Sequence, residues 1–192
     1  MVDAAASGTI ATDRPRNDHR DRIAGALARL RDTVAARPGF GRHTARSTAS
    51  LGDGVHCIST QDSWQIATDL PSALGGERSA PTPSQLVQAA LGACLAMGYQ
   101  LRAAERGIEL TSVTVTVESD AELRALLSPQ DLSPGFGALR YHVDIDSTGD
   151  PAEIEALVDA ADRLSPVLAD LTRPITVERT LSITRPASTV GC

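Results

Sequence analysis

The sequence predicts a single domain of the α+β class, in which one long helix lies among short strands. Residues 83–106 have an apolar surface that extends nearly all the way round, as in a buried helix. Short β-prone runs precede it, and the runs that follow it alternate between apolar and polar residues, which is typical of strands with one buried face. The elements follow the order β-β-β-α-β-β-α-β without an internal repeat, and 192 residues are enough for one domain with its own core.

The first 17 residues are polar and aperiodic, and we expect them to form a disordered tail. Residues 18–38 are predicted to contain an amphipathic helix that the Arg-Pro-Gly sequence at 37–39 ends. Its apolar stripe consists of Ile23, Leu27, Leu30 and Val34. This stripe would be exposed to water on an isolated helix, so we expect the helix to dock on the folded body. The main domain is predicted to span residues 39–187, followed by a short tail at 188–192.

Three short strands are predicted before the long helix. Residues 43–50 and 55–60 are rich in β-prone residues, and the Leu-Gly-Asp-Gly sequence between them indicates a hairpin. Residues 64–68 form a third β-prone run. A Gly- and Pro-rich loop at 69–83 then leads into the long helix.

The long helix has recognisable ends and an unusual middle. Thr82 is a typical N-cap, Pro83 is suited to the first turn, and Gly107 is suited to the C-terminal cap. One apolar stripe consists of Leu86, Ala89, Ala90, Ala93, Met97 and Leu101. Because Gly92 and Gly98 weaken a helix, we expect them to allow another backbone to approach closely.

Two strands and two helices are predicted after the long helix. Residues 112–118 and 139–145 alternate as strands do. The Asp-Pro pair at 150–151 and the Ser-Pro pair at 165–166 each place an N-cap residue before a proline in the first turn. The first of these helices has the apolar residues Ile154, Leu157, Val158, Ala161 and Leu164. Alternation in residues 175–183 predicts a last strand.

Composition and motifs exclude several functions. A net charge of −6 argues against nucleic-acid binding, and no apolar run approaches the roughly 20 residues of a membrane span. The N-terminus lacks the apolar core of a secretory signal, and three widely spaced cysteines do not form a disulfide framework, so we expect a cytoplasmic protein. The four histidines are scattered and the phosphate-loop fingerprints are missing, so no metal or other cofactor is predicted.

Cys94 is the candidate reactive group, and it lies at the centre of the long helix. The sequence Gly-Ala-Cys-Leu-Ala at 92–96 is similar to a hydrolase nucleophile elbow, but the elbow needs a strand that ends at the nucleophile, and here the helical pattern continues. From the residues alone, Cys94 is either a small buried hydrophobic residue or a reactive thiol.

A resemblance to a known family favours the reactive thiol. The stretch from residue 67 to residue 118 resembles the OsmC/Ohr family of osmotically induced and organic-hydroperoxide resistance proteins. The shared features are an Asp-x-Pro turn at 69–71, Gly-Gly at 75–76, Thr-Pro at 82–83, and Ala-Leu-Gly-Ala-Cys at 90–94. The later Ala-Asp-Arg-Leu-Ser-Pro-Val sequence at 161–167 also fits, and the resemblance extends over roughly residues 43–185.

The resemblance implies an OsmC-like fold, with antiparallel sheets wrapped around the long central helix in an intertwined homodimer. It would account for the small residues at 92, 93, 96 and 98 by the packing of two central helices. It also implies a peroxiredoxin-like activity in the response to oxidative stress, in which Cys94 reduces hydrophobic organic hydroperoxides. An external thiol or dithiol would be the reductant, and no nucleic acid or membrane would take part.

The chain departs from the family pattern at the residues expected around Cys94. Ser165 stands at the position of the family's resolving cysteine, and Ser84 stands at the position of a glutamate that holds an arginine beside the thiolate. The equivalent hairpin turn at 51–55 contains Asp53 and no arginine, which leaves Arg46 or Arg78 as candidates. We therefore take Cys94 as the catalytic candidate and Ser84, Ser165 and Arg46 as binding candidates.

Two functions follow from these residues. The first is a thiol peroxidase with a single peroxidatic cysteine, Cys94, which an external thiol resolves. The alternative is a non-catalytic OsmC-like dimer or small-ligand-binding protein in which Cys94 is structural. Whether Cys57 can pair with Cys94 depends on their separation, because a disulfide needs Cα atoms within about 7 Å.

Overall fold

The computed structural model describes residues 16–127 and 132–185. The predicted tail at 188–192, with Cys192, lies outside these residues, and so does the predicted N-terminal tail except for its last two residues. Within the described residues the fold is α+β, as predicted, with four α-helices and two small antiparallel sheets.

The central helix, α2, spans Pro83–Arg106, as the sequence predicts. Thr82 accepts a hydrogen bond from the backbone N–H of Gln85, and the Gln85 side chain accepts one from the N–H of Thr82. This reciprocal capping box satisfies two N–H groups that the first turn cannot pair internally. At the other end Gly107 has a φ of 70°, which is the left-handed conformation that glycine adopts most easily.

The first sheet precedes α2. Its strands are β1 (Thr48–Leu51), β2 (Cys57–Gln61) and β3 (Trp64–Thr68), each antiparallel to the next. The predicted hairpin is confirmed, since β1 pairs Leu51 with Cys57 of β2. β1 begins five residues later than the β-prone run that predicted it.

The second sheet packs on α2. Its strands, β4 (Leu110–Ala121) and β5 (Phe136–Ser147), are antiparallel, and both are longer than predicted. Helix α3 (Pro151–Asp162) and the short helix α4 (Pro166–Thr172) follow, and Asp150 and Ser165 cap them as the sequence predicts. The buried core consists of Leu91, Leu95, Tyr99, Ala103, Leu110, Leu157 and Ala161, with valines and isoleucines of β4 and β5 around it.

The two glycines of α2 allow close approach within the chain. A Cβ atom on Gly92 would lie 3.4 Å from Val117 and 3.6 Å from the carbonyl oxygen of Val115, both in β4. A Cβ atom on Gly98 would lie 3.8 Å from Ala161 of α3. Gly92 thus faces the second sheet and Gly98 faces α3, and a Cβ atom at either position would lie at a contact distance from its neighbours. The predicted packing of a second α2 against this helix is not tested within a single chain.

Helix α1 (Arg16–Ala36) docks on α2. Arg31 forms an ion pair with Glu105, which also pairs with Arg102 at 2.6 Å. Ile23 and Leu27 are half-buried, whereas Leu30 and Val34 are about half exposed. The predicted apolar stripe is thus covered along its first half only.

Residues 175–183 do not form the predicted last strand, because they join neither sheet among the described residues. Their alternating apolar side chains are exposed, and Val177 is 86% exposed. No helix in the described parts of the chain is long and apolar enough to span a membrane.

Candidate functional site

The candidate site is built around Cys94, midway along α2. The helix runs through this residue without interruption, so the strand-to-helix turn of a nucleophile elbow is not present at this cysteine. Cys94 is half-buried and carries a free thiol. Ala90, Ala93 and Met97 lie near it on the helix surface and are exposed, with Met97 62% exposed. One side of the thiol therefore borders an uncovered apolar surface.

Ser165 is the polar partner of the thiol. Its Oγ lies 3.3 Å from Cys94 Sγ, and the residue is only 5% exposed. The same oxygen accepts a hydrogen bond of 3.3 Å from the backbone N–H of Leu168 in the first turn of α4. When Cys94 is a thiolate it has no proton to donate, so the serine hydroxyl must be the donor.

The α3–α4 turn that carries Ser165 is held by a polar cluster in which Tyr99 is buried, Asp162 is half-buried and Tyr141 is partly exposed. Tyr99 of α2 donates from its hydroxyl to one carboxylate oxygen of Asp162 at 2.8 Å, and Tyr141 of β5 donates to the other at 2.8 Å. These are the only two tyrosines in the chain. We refer to Tyr99, Asp162 and Tyr141 as the tyrosine–aspartate brace.

Both phenols of the brace stay protonated in the ordinary pH range. Burial, with the bond to Asp162, raises the pKa of Tyr99 well above its usual value of 10 and raises the pKa of Tyr141 to about 12. Both phenols are therefore permanent donors to the carboxylate. Sequence reasoning did not find this cluster. The available signal was a tyrosine inside an otherwise apolar helix, whose buried hydroxyl requires an acceptor.

The other two binding candidates are not brought to Cys94 within the chain. Ser84 lies in the first turn of α2, ten positions before Cys94, which is about 15 Å along the helix axis. Arg46 is exposed just before β1. Arg78, the other cation considered, is exposed in the loop before α2. Neither arginine belongs to an ion pair among the described residues.

The hairpin turn between β1 and β2 borders an acidic recess. This recess has a volume of about 430 Å³ and lies between the turn and the loop that leads into α2. Its ionisable lining residues are Asp53, His56, Asp69 and Glu77. No group of three or more His, Cys, Asp or Glu side chains suited to a metal ion occurs in residues 16–127 and 132–185. The turn thus presents one carboxylate, that of Asp53, where the family resemblance leads one to expect an arginine.

Asp69 organises that loop. The residue is 2% exposed, and its carboxylate accepts hydrogen bonds from the backbone N–H groups of Leu70, Glu77 and Ser79 and from the Ser79 hydroxyl. These bonds, with that of the Ser79 N–H the strongest, lower the pKa of Asp69 from 3.8 to about 2. A side chain on Gly76 would collide with the Leu70 carbonyl. The loop therefore has one defined path into the first turn of α2.

Cys57, at the start of β2, also carries a free thiol. It pairs with Leu51 of β1 and Thr68 of β3 in the first sheet, and its backbone carbonyl accepts a hydrogen bond from the Thr68 hydroxyl. In this structure Cys57 and Cys94 are therefore not joined by a disulfide.

Known proteins with a similar sequence pattern or structure belong to one family. The family model described as OsmC-like protein matches residues 75–180, which include Cys94, Ser165 and the tyrosine–aspartate brace. No curated protein matches the chain significantly.

Several solved structures resemble this one. An OsmC-like protein from Mycoplasma pneumoniae has a TM-score of 0.59 and 21% identity, over 68% of this chain and 88% of that one. An organic hydroperoxide resistance protein from Elizabethkingia anophelis has a TM-score of 0.50 and 22% identity, over 68% and 89%. An OsmC-like protein of Vibrio cholerae has a TM-score of 0.52 and 13% identity, over 67% and 93%. At these identities the similarity establishes the fold.

Proposed function

The chain belongs to the OsmC-like protein family, and on this premise we propose that it reduces organic hydroperoxides with Cys94 as its single peroxidatic cysteine. The observation that carries the proposal is the 3.3 Å contact between Cys94 Sγ and Ser165 Oγ. It pairs the expected nucleophile with the position at which the family has a resolving cysteine. The half-buried thiol also borders an apolar surface, which suits a hydrophobic hydroperoxide better than a small polar one.

The first step oxidises the cysteine. The thiolate sulfur of Cys94 attacks the outer oxygen of the hydroperoxide, an S–O bond forms, and the O–O bond breaks. The product is a sulfenic acid on Cys94, and the alkoxide that leaves takes a proton from water to become an alcohol. The Ser165 hydroxyl is placed to donate to the thiolate before attack, and a hydrogen bond to a charged acceptor is among the stronger ones.

Resolution of the sulfenic acid requires a second thiol, which the Cys94–Ser165 pair does not supply. Serine cannot form a disulfide, so the sulfenic acid must wait for an external thiol, which forms a mixed disulfide and releases water. A second thiol then attacks the mixed disulfide and restores the Cys94 thiolate. In total, one hydroperoxide and two thiols give one alcohol, one water and one disulfide.

We further propose that the protein acts as a homodimer with its central helices in contact. Four exposed apolar residues form a stripe along α2, namely Ala89, Ala90, Ala93 and Met97. Residues 175–183 expose a second set of apolar side chains and join neither sheet of the described chain. Exposed apolar side chains grouped in this way are typical of an interface. A dimer would bring a second chain beside Cys94, where Ser84 or Arg46 of that chain could take part.

The test is direct trapping of the oxidised cysteine. We expect the purified full chain, treated with one equivalent of an organic hydroperoxide and a sulfenic-acid reagent, to carry the adduct on Cys94 by peptide mass analysis. Cys94→Ser should lose the adduct, whereas Cys57→Ser should keep it and serves as the matched control. A Cys57–Cys94 disulfide would mean a two-cysteine mechanism, and an unmodified Cys94 in excess hydroperoxide would refute the proposal.

One observation favours the alternative, a dimer with a structural or ligand-binding role. Among the described residues, the polar partner of Cys94 Sγ is a neutral hydroxyl, and no arginine, lysine or histidine donates to it. Reactive cysteines commonly have a cationic neighbour. In this alternative hydroperoxide would leave the Cys94 thiol intact, and Cys94→Ser would lower the free energy of unfolding, because a polar hydroxyl would replace a packed thiol.

A further inference from the structure

We infer that Asp162 is a positioning residue, which the two tyrosines of the brace hold in place so that the Ser165 hydroxyl stays against the sulfur of Cys94. The inference deepens the proposed function, on which it rests. It concerns how the chain keeps a serine hydroxyl aligned with a reacting thiol, since serine cannot act there as a resolving group.

The first step is that the Asp162 carboxylate is fixed from two directions. Tyr99 Oη reaches one oxygen from the central helix and Tyr141 Oη reaches the other from β5, both at 2.8 Å. The phenol of Tyr99 is fully buried. A carboxylate that accepts from two rigid aromatic donors on different elements has little freedom to move.

The second step is that Asp162 fixes the backbone before Ser165. Its own carbonyl oxygen accepts a hydrogen bond of 3.2 Å from the Ser165 N–H. Beside it, Ala161 packs over Gly98, where a Cβ atom would lie 3.8 Å away, at contact distance. The end of α3 therefore lies against α2 one residue from both Tyr99 and Asp162.

The third step is that the Ser165 oxygen also forms the N-cap hydrogen bond of α4, which does not require contact with the thiol. As the N-cap of α4 it accepts the Leu168 N–H at 3.3 Å, and a free N-cap serine can satisfy that bond without approaching Cys94. The brace selects the one placement in which the oxygen accepts from Leu168 while it remains 3.3 Å from Cys94 Sγ. In this placement the hydroxyl can donate to the sulfur of the thiolate, and its oxygen can accept from the S–H group of the thiol.

The experiment is a double-mutant cycle between Asp162 and Ser165, in a full chain with Cys57→Ser and Cys192→Ser so that Cys94 is the only thiol. Asp162→Asn, Ser165→Ala and the double variant are compared by three measurements. These are the rate of Cys94 oxidation by an organic hydroperoxide, the rate of its alkylation by iodoacetamide, and the S–H stretching frequency in the infrared.

We expect Ser165→Ala to slow oxidation about 3- to 10-fold, as the loss of one hydrogen bond would, and to shift the S–H frequency. Asp162→Asn should change all three measurements in the same direction. Added to Ser165→Ala it should change them no further, because its effect passes through the serine. Asp120→Asn is the matched control, since it removes a carboxylate from an exposed ion pair with Arg140 on the second sheet and should change none of them.

The inference would be overturned if Asp162→Asn had the same effect in the chain that has Ser165 and in the Ser165→Ala variant. Equal effects would indicate a general loss of structure. An unchanged S–H frequency in Asp162→Asn would also overturn it. If Asp162→Asn does not fold, Tyr141→Phe removes one of the two phenol bonds at a partly exposed position and must give the same pattern. If hydroperoxide does not react with Cys94 in any variant, the proposed function fails, while alkylation and the infrared frequency still test the brace.

Discussion

At the scale of single side chains, Ser165 is the residue that distinguishes this chain from the family pattern, which has a cysteine at this position. The contact of 3.3 Å between its oxygen and Cys94 Sγ is a hydrogen-bond distance, whereas two sulfurs in a disulfide lie about 2.05 Å apart. A cysteine at position 165 would place a sulfur near the same point, so only a small movement would be needed to close the bond. Cys94 and Ser165 therefore lie as close together as two cysteines that could form a disulfide, but the serine cannot form one.

We predict that Ser165→Cys converts the protein into a two-cysteine enzyme. In a chain with Cys57→Ser and Cys192→Ser, hydroperoxide should produce a disulfide between Cys94 and the cysteine introduced at position 165, and the sulfenic acid should no longer be trapped. Loss of the serine N-cap should also cost α4 about 0.5–2 kcal/mol, visible in the free energy of unfolding of the reduced protein.

The matched control for this prediction is Ala156→Cys, which introduces the same residue at an exposed position of α3. The Ala156 carbonyl contacts Arg106, which lies twelve positions after Cys94 on α2, about 18 Å along the helix axis. This variant should leave the sulfenic acid in place. Persistent sulfenic acid in Ser165→Cys would contradict the predicted disulfide. It would mean that the turn carrying residue 165 cannot make the small movement required.

The residues of the site differ in how far sequence could predict them. Cys94 and the position of Ser165 were predictable, because each lies in a short motif that fixes its local surroundings. The brace was not, because Tyr99, Tyr141 and Asp162 are far apart in sequence and meet only when α2, β5 and the end of α3 are packed. A contact of this kind depends on tertiary structure, which no local pattern encodes.

At the scale of elements, the loop between β3 and α2 is the segment most dependent on one ionised group. Asp69 accepts three backbone N–H groups and one hydroxyl, and its pKa is lowered to about 2. A carboxyl with a folded pKa below its unfolded value stabilises the folded state above the unfolded pKa, and that stabilisation is lost as pH falls toward the folded pKa. For Asp69 this interval lies between pH 3.8 and about 2.

We therefore predict that Asp69→Asn lowers the free energy of unfolding at neutral pH and that the deficit shrinks as pH falls from about 4 to 2. The amide NH₂ of asparagine would face N–H donors that the carboxylate now satisfies. Denaturant unfolding at a series of pH values measures this. Asp53→Asn, in the neighbouring hairpin turn, is the control and should show no such deficit. A deficit of Asp69→Asn that stays constant down to pH 2 would exclude the charge as its cause.

Elements with local end signals were the easiest to predict. Both ends of α2 and the starts of α3 and α4 follow from capping residues within one turn of each boundary, so sequence alone places them. Residues 175–183 have the alternation of a strand but join neither sheet, since strand formation requires a neighbour that local sequence does not supply. Helix α1 is intermediate, because its stripe predicted docking on the folded body but not that Leu30 and Val34 would remain half exposed.

At the scale of the whole molecule, the single chain leaves its central helix partly uncovered. Leu91, Leu95 and Tyr99 face the core, while Ala93 and Met97 face outward. Small side chains on an exposed helix face allow another helix to approach closely. The exposed apolar residues at 175–183 add to the surface that a second chain could cover.

We predict that the wild-type protein is a dimer at micromolar concentration and that Ala93→Glu dissociates it. Apposed central helices would bury the introduced carboxylate without a partner, which is strongly unfavourable. Sedimentation velocity measures the change directly. Ala156→Glu is the matched control, because it makes the same substitution at an exposed helical position on α3 and should leave assembly intact. A monodisperse wild-type monomer would contradict the dimer, and a dimer that tolerates Ala93→Glu would move the interface away from this face of α2, toward the apolar side chains at 175–183.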